Sequence, residues 1–303
     1  MVTFLIKNSE LRIKKSPSKG DLEGLNFSRI AFCVVLCITA VACEVINPDN
    51  TLVFDSETII PPKDTTNVDP TAPSNIRTAL LVDFSGWKCV NCPDAAEQAH
   101  ELLFIYGQQL VILEAHPAAN KLTASNKPEY DYTCPAADSL YKAMGGTNVT
   151  PLPIGTVNMT ANNDGAFLMN VGEWSSAIQT AVKQYHSADI HLRIGGQDSI
   201  ICNIYNWSAQ TLACSLYVWL TEDSIASAQY FPDGPISNYM RNHLLRDAIS
   251  SPNGDPLALP AEEKVSRTFL YSLPDKVVSE NCHIVAALYA NGEIIQAAQI
   301  DIH

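Results

Sequence analysis

The chain has 303 residues, a formal net charge of −13 and 17% charged side chains. Its 47% hydrophobic residues are enough to bury ordinary cores, which excludes wholesale disorder, and its length predicts two domains behind a processed leader. The acidic balance repels phosphate and therefore argues against nucleic acid and anionic lipid surfaces as partners.

The N-terminus has the parts of a secretory signal. Lysines and arginines between Lys7 and Arg29 precede an apolar run from Ile30 to Ala42. This run is shorter than the roughly 20 apolar residues that a membrane-spanning helix needs, so a permanent helical anchor is the weaker interpretation. We therefore predict a signal peptide over residues 1–42.

Cys43 directly follows the apolar run. The segment Ala40-Val41-Ala42-Cys43 resembles a bacterial lipobox, in which the cysteine is diacylated after cleavage and tethers the protein to a membrane. The same segment also satisfies the ordinary small-x-small cleavage rule. Ordinary cleavage before Cys43 would leave an odd number of thiols in an oxidising envelope, whereas lipidation of Cys43 leaves an even number. The parity favours a lipid-anchored protein of the cell envelope.

Residues 43–75 are predicted to form a flexible tether. Five prolines stand in this segment among Asn, Asp and Thr, and no hydrophobic period is sustained. The first folded domain is therefore expected to begin near Ile76.

Residues 76–187 alternate between strand and helix patterns. Ile76–Phe84 is nearly continuously apolar, as a strand buried on both faces would be, and a helical spacing of small and apolar residues follows up to Tyr106. The remaining predicted elements are a strand at Leu110–Leu113, a helix at Pro135–Met144, a hairpin of Ile154–Met159 with Ala166–Asn170, and a helix at Glu173–Tyr185. This order predicts an α/β thioredoxin-like fold.

Cys89 and Cys92 form a Cys-X-X-Cys motif where the first predicted strand turns into the first helix. Unpaired backbone N–H groups and the helix dipole would stabilise a Cys89 thiolate there. Cys92 would resolve the mixed disulfide after Cys89 attacks a substrate, which predicts a partly exposed Cys89. A structural disulfide or a metal half-site is the alternative. Because no second Cys-X-X-Cys or suitably spaced His pair exists, we expect no metal and no cofactor.

The segment around this motif resembles thioredoxins. Leu81–Cys92 contains Val-Asp-Phe followed by Cys-X-X-Cys, although Val90-Asn91 and Lys88 differ from the residues usual in that family. The resemblance implies that Asp83 is the buried acid that exchanges a proton with Cys92. The plainer interpretation of Asp83 is a turn residue at the strand end.

The thioredoxin resemblance extends to Leu152-Pro153-Ile154. Pro153 matches the position of the family's cis-proline beside the active-site pair, and a cis bond would present the backbone of Leu152 to a substrate. Pro153 could instead be an ordinary loop proline. Trp87 is equally well interpreted as a substrate contact or as a cap on the core beside the helix.

Residues 188–303 show strand patterns. The predicted strands are Asp189–Ile194, Ser199–Asn206, Thr211–Leu220, Val265–Leu270, His283–Ala290 and Glu293–Asp301. Asn291-Gly292 between the last two is a strong hairpin signal. The pattern predicts an antiparallel β-sandwich, immunoglobulin-like or fibronectin-like.

The second half carries three further cysteines. Folding the chain about Ser208 places Cys202 opposite Cys214, which makes a cross-strand disulfide possible, although buried free thiols are the favoured interpretation. Cys282 pairing with Cys134 is a weaker hypothesis.

Several segments together resemble Bacteroidetes lipoproteins related to the 28-kilodalton outer membrane protein. They are Gly86–Pro93 with the Ala- and His-containing helix after it, Asn242–Asp247, and Glu280-Asn281-Cys282 before the closing strand pair. The resemblance implies an outer membrane address, a thioredoxin-like domain and a β-rich C-terminal domain. His243 within the second segment is most simply explained by an amphipathic helix or loop packed on the sandwich.

Two functions follow from these patterns. The first is an envelope thiol-disulfide oxidoreductase that acts on protein thiols or disulfides through Cys89 and Cys92. The second, implied by the family resemblance, is a surface binding or adhesion protein that engages envelope or surface ligands. In that case the thioredoxin-like domain is a scaffold with a structural disulfide.

Overall fold

A computed structural model describes residues 72–74, 76–196 and 198–302, and the following statements concern these residues. The predicted signal peptide, Cys43 and nearly all of the predicted tether lie outside them. The described chain is mostly β, with three short α-helices.

Strands and helices alternate in the first part of the described chain. They are β1 (Ala79–Phe84), α1 (Cys92–Tyr106), β2 (Leu110–Ala115), α2 (Pro135–Ala143), β3 (Ile154–Val157) and α3 (Trp174–Ala181). β1 pairs with β2 in parallel and with β3 antiparallel. The predicted strand Ala166–Asn170 makes only one bridge, between Gly155 and Met169. It ends there because Asn170 already caps the next helical turn, where its N–H donates to the Glu173 carboxylate.

The second part contains only strands as regular elements apart from one short 3₁₀ turn. They are β4 (Ala188–Ile194), β5 (Ser199–Asn206), β6 (Leu212–Glu222), β7 (Ile225–Phe231), β8 (Gly234–Arg241), β9 (Leu244–Ala248), β10 (Asp255–Leu259), β11 (Lys264–Leu270), β12 (Cys282–Ala290) and β13 (Glu293–Asp301). The sequence patterns predicted none of β7, β8, β9 and β10. The predicted helix or loop at Asn242–Asp247 is a turn and the first part of β9, because Leu244 and Leu245 are buried in strand pairing.

Strands from both parts share one large sheet. Its order is β13-β12-β6-β9-β2-β1-β3, with β10 also paired to β6. The link between the two parts is a parallel contact of β2 and β9 at Glu114 and Leu244. Two smaller sheets accompany it, β11-β5-β4 and the β7–β8 hairpin. The predicted boundary between residues 187 and 188 falls between α3 and β4 and stays a prediction.

The two faces of β1 and β2 are packed differently. Ala79 and Leu81 contact α1 and α3, whereas Leu80, Val82 and Phe84 lie in a larger cluster with α2 and with side chains of β6, β9, β12 and β13. This alternation follows from the two-residue period of a strand. Each buried Leu or Phe contributes on the order of 2 kcal/mol, so the second cluster joins the two parts into one core.

The possible disulfide between Cys202 and Cys214 is not formed, in agreement with the favoured interpretation of free thiols, although Cys214 is only partly buried. Both residues are free cysteines, on β5 and β6, and these strands belong to different sheets. The chain around Ser208 crosses from one sheet to the other rather than closing a hairpin. Burial raises the pKa of the Cys202 thiol to about 12, so it is an unreactive core side chain.

Cys134 and Cys282 are also free rather than bonded to each other. Cys134 caps α2, where its sulfur accepts from the N–H of Ala137, and it lies 3.3 Å from the Leu245 carbonyl oxygen. The Cys282 sulfur lies 3.2 Å from the carbonyl oxygen of Val278. Each thiol thus has its own local backbone partner.

Candidate functional site

The turn between β1 and α1 carries the Cys-X-X-Cys motif. Cys92 is the first residue of α1, followed by Pro93 in the first turn, where the missing N–H costs no helical hydrogen bond. A disulfide joins Cys89 to Cys92 across a Cα–Cα distance of 5.4 Å. The Cys89 N–H donates to the Gly86 carbonyl at 2.9 Å, so the turn itself orders the first cysteine.

The cysteine pair is buried, with 3% of Cys89 and 2% of Cys92 exposed. The redox hypothesis predicts that Cys89 is partly exposed, and this prediction is therefore wrong for this structure. The β7–β8 hairpin binds the main chain of the motif. The Gln229 side-chain amide donates to the Cys89 carbonyl at 2.7 Å, and the Tyr230 N–H donates to the Trp87 carbonyl at 2.8 Å.

A buried ion pair holds the base of this hairpin. Arg241, the last residue of β8, pairs with Glu114 of β2 and also donates to the Gln229 side chain. Its guanidinium lies 5.2 Å from the ring centres of Tyr132 and Tyr239, in cation–π geometry. These contacts from one fully buried arginine connect the hairpin to the central sheet and to the loop before α2.

The charges in this network are set by their neighbours. Burial alone would raise the pKa of Glu114, but Arg241 and His116 outweigh it and lower that pKa to about 2. Burial and Arg241 lower the pKa of His116, although its Nε2 lies 2.8 Å from the Glu114 carboxylate. Glu114 is thus a carboxylate paired with a guanidinium, beside a neutral imidazole.

Asp83 lies on β1 beside Glu114 and is also buried. Burial, and then the Glu114 charge, raise the pKa of Asp83 well above its ordinary range against the lowering effect of Arg241. Asp83 Oδ1 has no hydrogen-bond partner among the described residues. These surroundings favour the neutral acid, and the proton exchange with Cys92 stays a prediction.

The Leu152–Pro153 peptide bond is cis. Leu152 is buried in the same apolar cluster as Cys89 and Cys92. The structure therefore brings Leu152 and the cysteine pair into one core, while the contact of the Leu152 backbone with a substrate stays a prediction.

Trp87 contacts both the protein core and a surface pocket. Its indole N–H donates to the Thr123 carbonyl at 3.0 Å, and the side chain is buried, as a cap on the core would be. Its ring also forms part of a pocket of about 610 Å³ between residues 126–130 and the hairpin. Tyr130 and Tyr230 flank the ring at centroid distances of 5.3 and 5.5 Å.

The sequence reasoning missed Gln229, Tyr230 and Arg241. Asp233-Gly234 was the available signal, because Asp-Gly between alternating apolar and polar residues is typical of a hairpin turn. Within the described residues, no group of three or more His, Cys, Asp or Glu side chains is arranged to hold a metal ion.

The sequence of the region that contains the hairpin matches a known family. The family model described as outer membrane protein Omp28 matches residues 141–303, which is more than half of the chain. The chain belongs to the Omp28 family. The family resemblance predicted from the sequence is therefore confirmed, and with it the cell-envelope location at the outer membrane. The Omp28 match includes the hairpin but not Cys89 or Cys92.

Solved structures add fold similarity. The chain is similar to HBP35 of Porphyromonas gingivalis, with 14% identity and a TM-score of 0.58 over 76% of this chain and 77% of that chain. A protein of Agrobacterium tumefaciens matches with 12% identity and a TM-score of 0.46, over 74% and 94% of the two chains. A domain of the outer membrane lipoprotein Omp28 from Porphyromonas gingivalis matches with 17% identity and a TM-score of 0.27, over 40% and 91%. At such identities the HBP35 likeness shows the shared fold alone.

No curated protein matches the sequence. Among the described residues, no helix has the length and apolar character needed to cross a membrane.

Proposed function

We propose that this Omp28-family protein is an envelope lipoprotein that binds ligands, anchored through Cys43. Its thioredoxin-like part serves as a scaffold in which the Cys89–Cys92 disulfide is structural. One observation carries the proposal, the burial of both sulfurs beneath a hairpin that binds the motif's backbone.

Thiol-disulfide exchange requires an attacking thiolate to reach a sulfur atom. Here both cysteines are buried, and displacing the hairpin as a unit from the Cys89 carbonyl would separate Arg241 from the buried Glu114. Breaking a buried ion pair costs roughly 3–5 kcal/mol, so the open state would be about 10²- to 10⁴-fold less populated than the closed one. A dedicated oxidoreductase would gain nothing from such a barrier on its resting state, whereas a scaffold gains rigidity.

The test compares the purified full chain with Cys89→Ser. We expect Cys89 and Cys92 of the native wild-type protein, identified by peptide mass spectrometry, to resist alkylation after treatment with a glutathione buffer. We expect the pair to have a reduction potential below about −300 mV. Both proteins should reduce insulin at the same background rate in dithiothreitol. Faster insulin reduction by the wild type than by Cys89→Ser would overturn the proposal.

A gated oxidoreductase is the second candidate function, and Asp83 is the observation that favours it. A buried carboxyl with a raised pKa and an unpartnered oxygen, near the start of α1, is what proton exchange with a resolving cysteine needs.

Loosening the hairpin separates the two candidates. Gln229→Ala removes the hydrogen bond to the Cys89 carbonyl, so a gated enzyme would gain at least tenfold in insulin reduction. A scaffold would show no gain. Ile236→Ser, a change on the exposed surface of the same hairpin, is the matched control.

A further inference from the structure

The pocket beside Trp87 has the dimensions of a ligand site. Its volume of about 610 Å³ lies within the range of roughly 300–1,000 Å³ that is usual for small-molecule pockets. It opens between the loop 126–130 and the outer part of the β7–β8 hairpin, next to the buried cysteine motif.

Three aromatic rings form its apolar surface. The Tyr130 and Tyr230 rings are tilted by 46° and 52° to the Trp87 ring, so neither stacks flat on it. Tyr230 keeps 36% of its surface exposed despite the contact. The rings are held in place before any ligand arrives, because the Trp87 indole N–H binds the Thr123 carbonyl and the Tyr230 N–H binds the Trp87 carbonyl.

The polar groups around these rings are nearly all neutral. Asn126, Ser237 and Asn238 line the pocket and offer amide and hydroxyl groups that both donate and accept hydrogen bonds. No carboxylate lines it, so it lacks the ligands that a metal cation prefers. Among the described residues, Lys127 is the only charged one that lines the pocket, and its Nζ lies 5.0 Å from the centre of the Tyr130 ring. Lys88, outside the lining, lies 5.1 Å from the centre of the Trp87 ring. A site for a polyanion would place several cations within the lining.

We propose that this pocket binds a neutral carbohydrate, with a pyranose ring against the aromatic cluster. The inference rests on the binding function proposed above and names its ligand. The C–H bonds on one face of a pyranose carry partial positive charge and suit the negative face of an aromatic ring. Its hydroxyl groups both donate and accept, and therefore match Asn126, Ser237 and Asn238.

A proline-rich peptide also docks on aromatic surfaces. Such a peptide has unpaired carbonyl oxygens that need donors, and an indole N–H is the natural donor in an aromatic groove. The Trp87 indole N–H is already used by Thr123. The structure therefore favours the carbohydrate over the peptide.

The experiment titrates the purified full chain with maltohexaose, mannohexaose and chitohexaose, and separately with a decaproline peptide, by calorimetry. Ligand concentrations up to about 5 mM suffice to detect a Kd near 1 mM. We expect one hexasaccharide to bind, and Tyr230→Ala to weaken that binding at least tenfold. Tyr230→Phe, which keeps the ring, should weaken it less than threefold.

The matched control is Tyr185→Ala, which removes a tyrosine that is 81% exposed outside the pocket. It should change the affinity less than twofold, and thermal melting should show all variants folded. Asn238→Ala, at the polar side, should weaken binding at least threefold.

Three results would overturn the inference. They are no binding of any hexasaccharide, equal losses in Tyr230→Ala and Tyr185→Ala, and binding of decaproline that Tyr230→Ala abolishes. None of these results decides the proposed function, because the alkylation and insulin assays test that independently.

Discussion

The base and the tip of the β7–β8 hairpin differ in their surroundings. At the base, Arg241 is buried and pairs with Glu114. Nearer the turn, Gln229 is also buried and donates to the Cys89 carbonyl. Toward the tip, Tyr230 and Ile236 remain substantially exposed and line an open pocket. One element therefore anchors itself to the central sheet through its base, while its turn half both binds the backbone beside the cysteines and presents exposed side chains to the pocket. Stability is expected to depend on the base, and recognition on the tip.

Replacing Arg241, at the base of the hairpin, should cause the largest loss of stability. Arg241→Met leaves the Glu114 carboxylate buried without its partner, which should lower the free energy of unfolding by about 3–5 kcal/mol. Urea denaturation measures this change. Arg267→Met, at an exposed position on β11, is the matched control and should stay within about 0.5 kcal/mol of wild type. Similar losses in the two variants would contradict the role of the buried pair.

The next largest effect is expected from low pH, which should destabilise the Glu114–Arg241 pair at the base of the hairpin. The folded pKa of Glu114 is about 2 against an ordinary 4.5, so its contribution is fully present above pH 4.5 and is lost as pH falls toward 2. That loss is about 3 kcal/mol. Asp83 opposes it, because a raised pKa makes its ionisation unfavourable to the fold and acid relieves this cost.

The measurement is urea stability between pH 2 and 5 for wild type and Glu114→Gln. The variant should lose most of the acid dependence. Part of the dependence of the free energy of unfolding on pH should remain, because Asp223 also titrates in this range. Burial would raise the pKa of Asp223, but His243 and His283 lower it to about 2. An unchanged profile in Glu114→Gln would exclude Glu114 as the titrating group.

Removing the disulfide should have a smaller effect. Cys89→Ala with Cys92→Ala opens a very short covalent loop, for which the chain-entropy model gives about 2 kcal/mol. Thermal or urea denaturation should show this loss with full retention of hexasaccharide binding. Loss of hexasaccharide binding in a folded double variant would mean that the binding surface at the tip of the hairpin depends on the Cys89–Cys92 disulfide.

The tip itself should contribute least to stability. Ile236 is 42% exposed, so Ile236→Ser should change the free energy of unfolding by no more than about 0.5 kcal/mol. A loss similar to that of Arg241→Met would erase the distinction between base and tip.

Local patterns predicted the elements around the cysteines well. The apolar run before Phe84 became β1, and the helical spacing after Cys92 became α1, because both depend on nearby residues. The pairing of β5 with β6 about Ser208, on which the possible disulfide depended, was wrong. Strand pairing depends on the whole chain, and a turn at Ser208 does not reveal which sheet receives the next strand.

The candidate site was predictable only in part. Cys89, Cys92, Asp83 and Trp87 carry a local motif, but their burial depends on a segment more than 130 residues later in the chain. Arg241 was not singled out from the sequence, because nothing in its neighbourhood shows that it pairs with Glu114. Long-range ion pairs of this kind leave no periodic signal in the sequence.

The described chain enters the fold at the end of β1 that lies away from the cysteine turn. The Ser74 N–H donates to Asp189, and Gln296 binds the Ile76 carbonyl and the Thr78 N–H. These contacts fix the chain at the beginning of β1. Six residues of strand, roughly 20 Å, then separate this point from the turn that holds Trp87. The aromatic pocket therefore lies at the opposite end of β1 from the point where the described chain enters the fold.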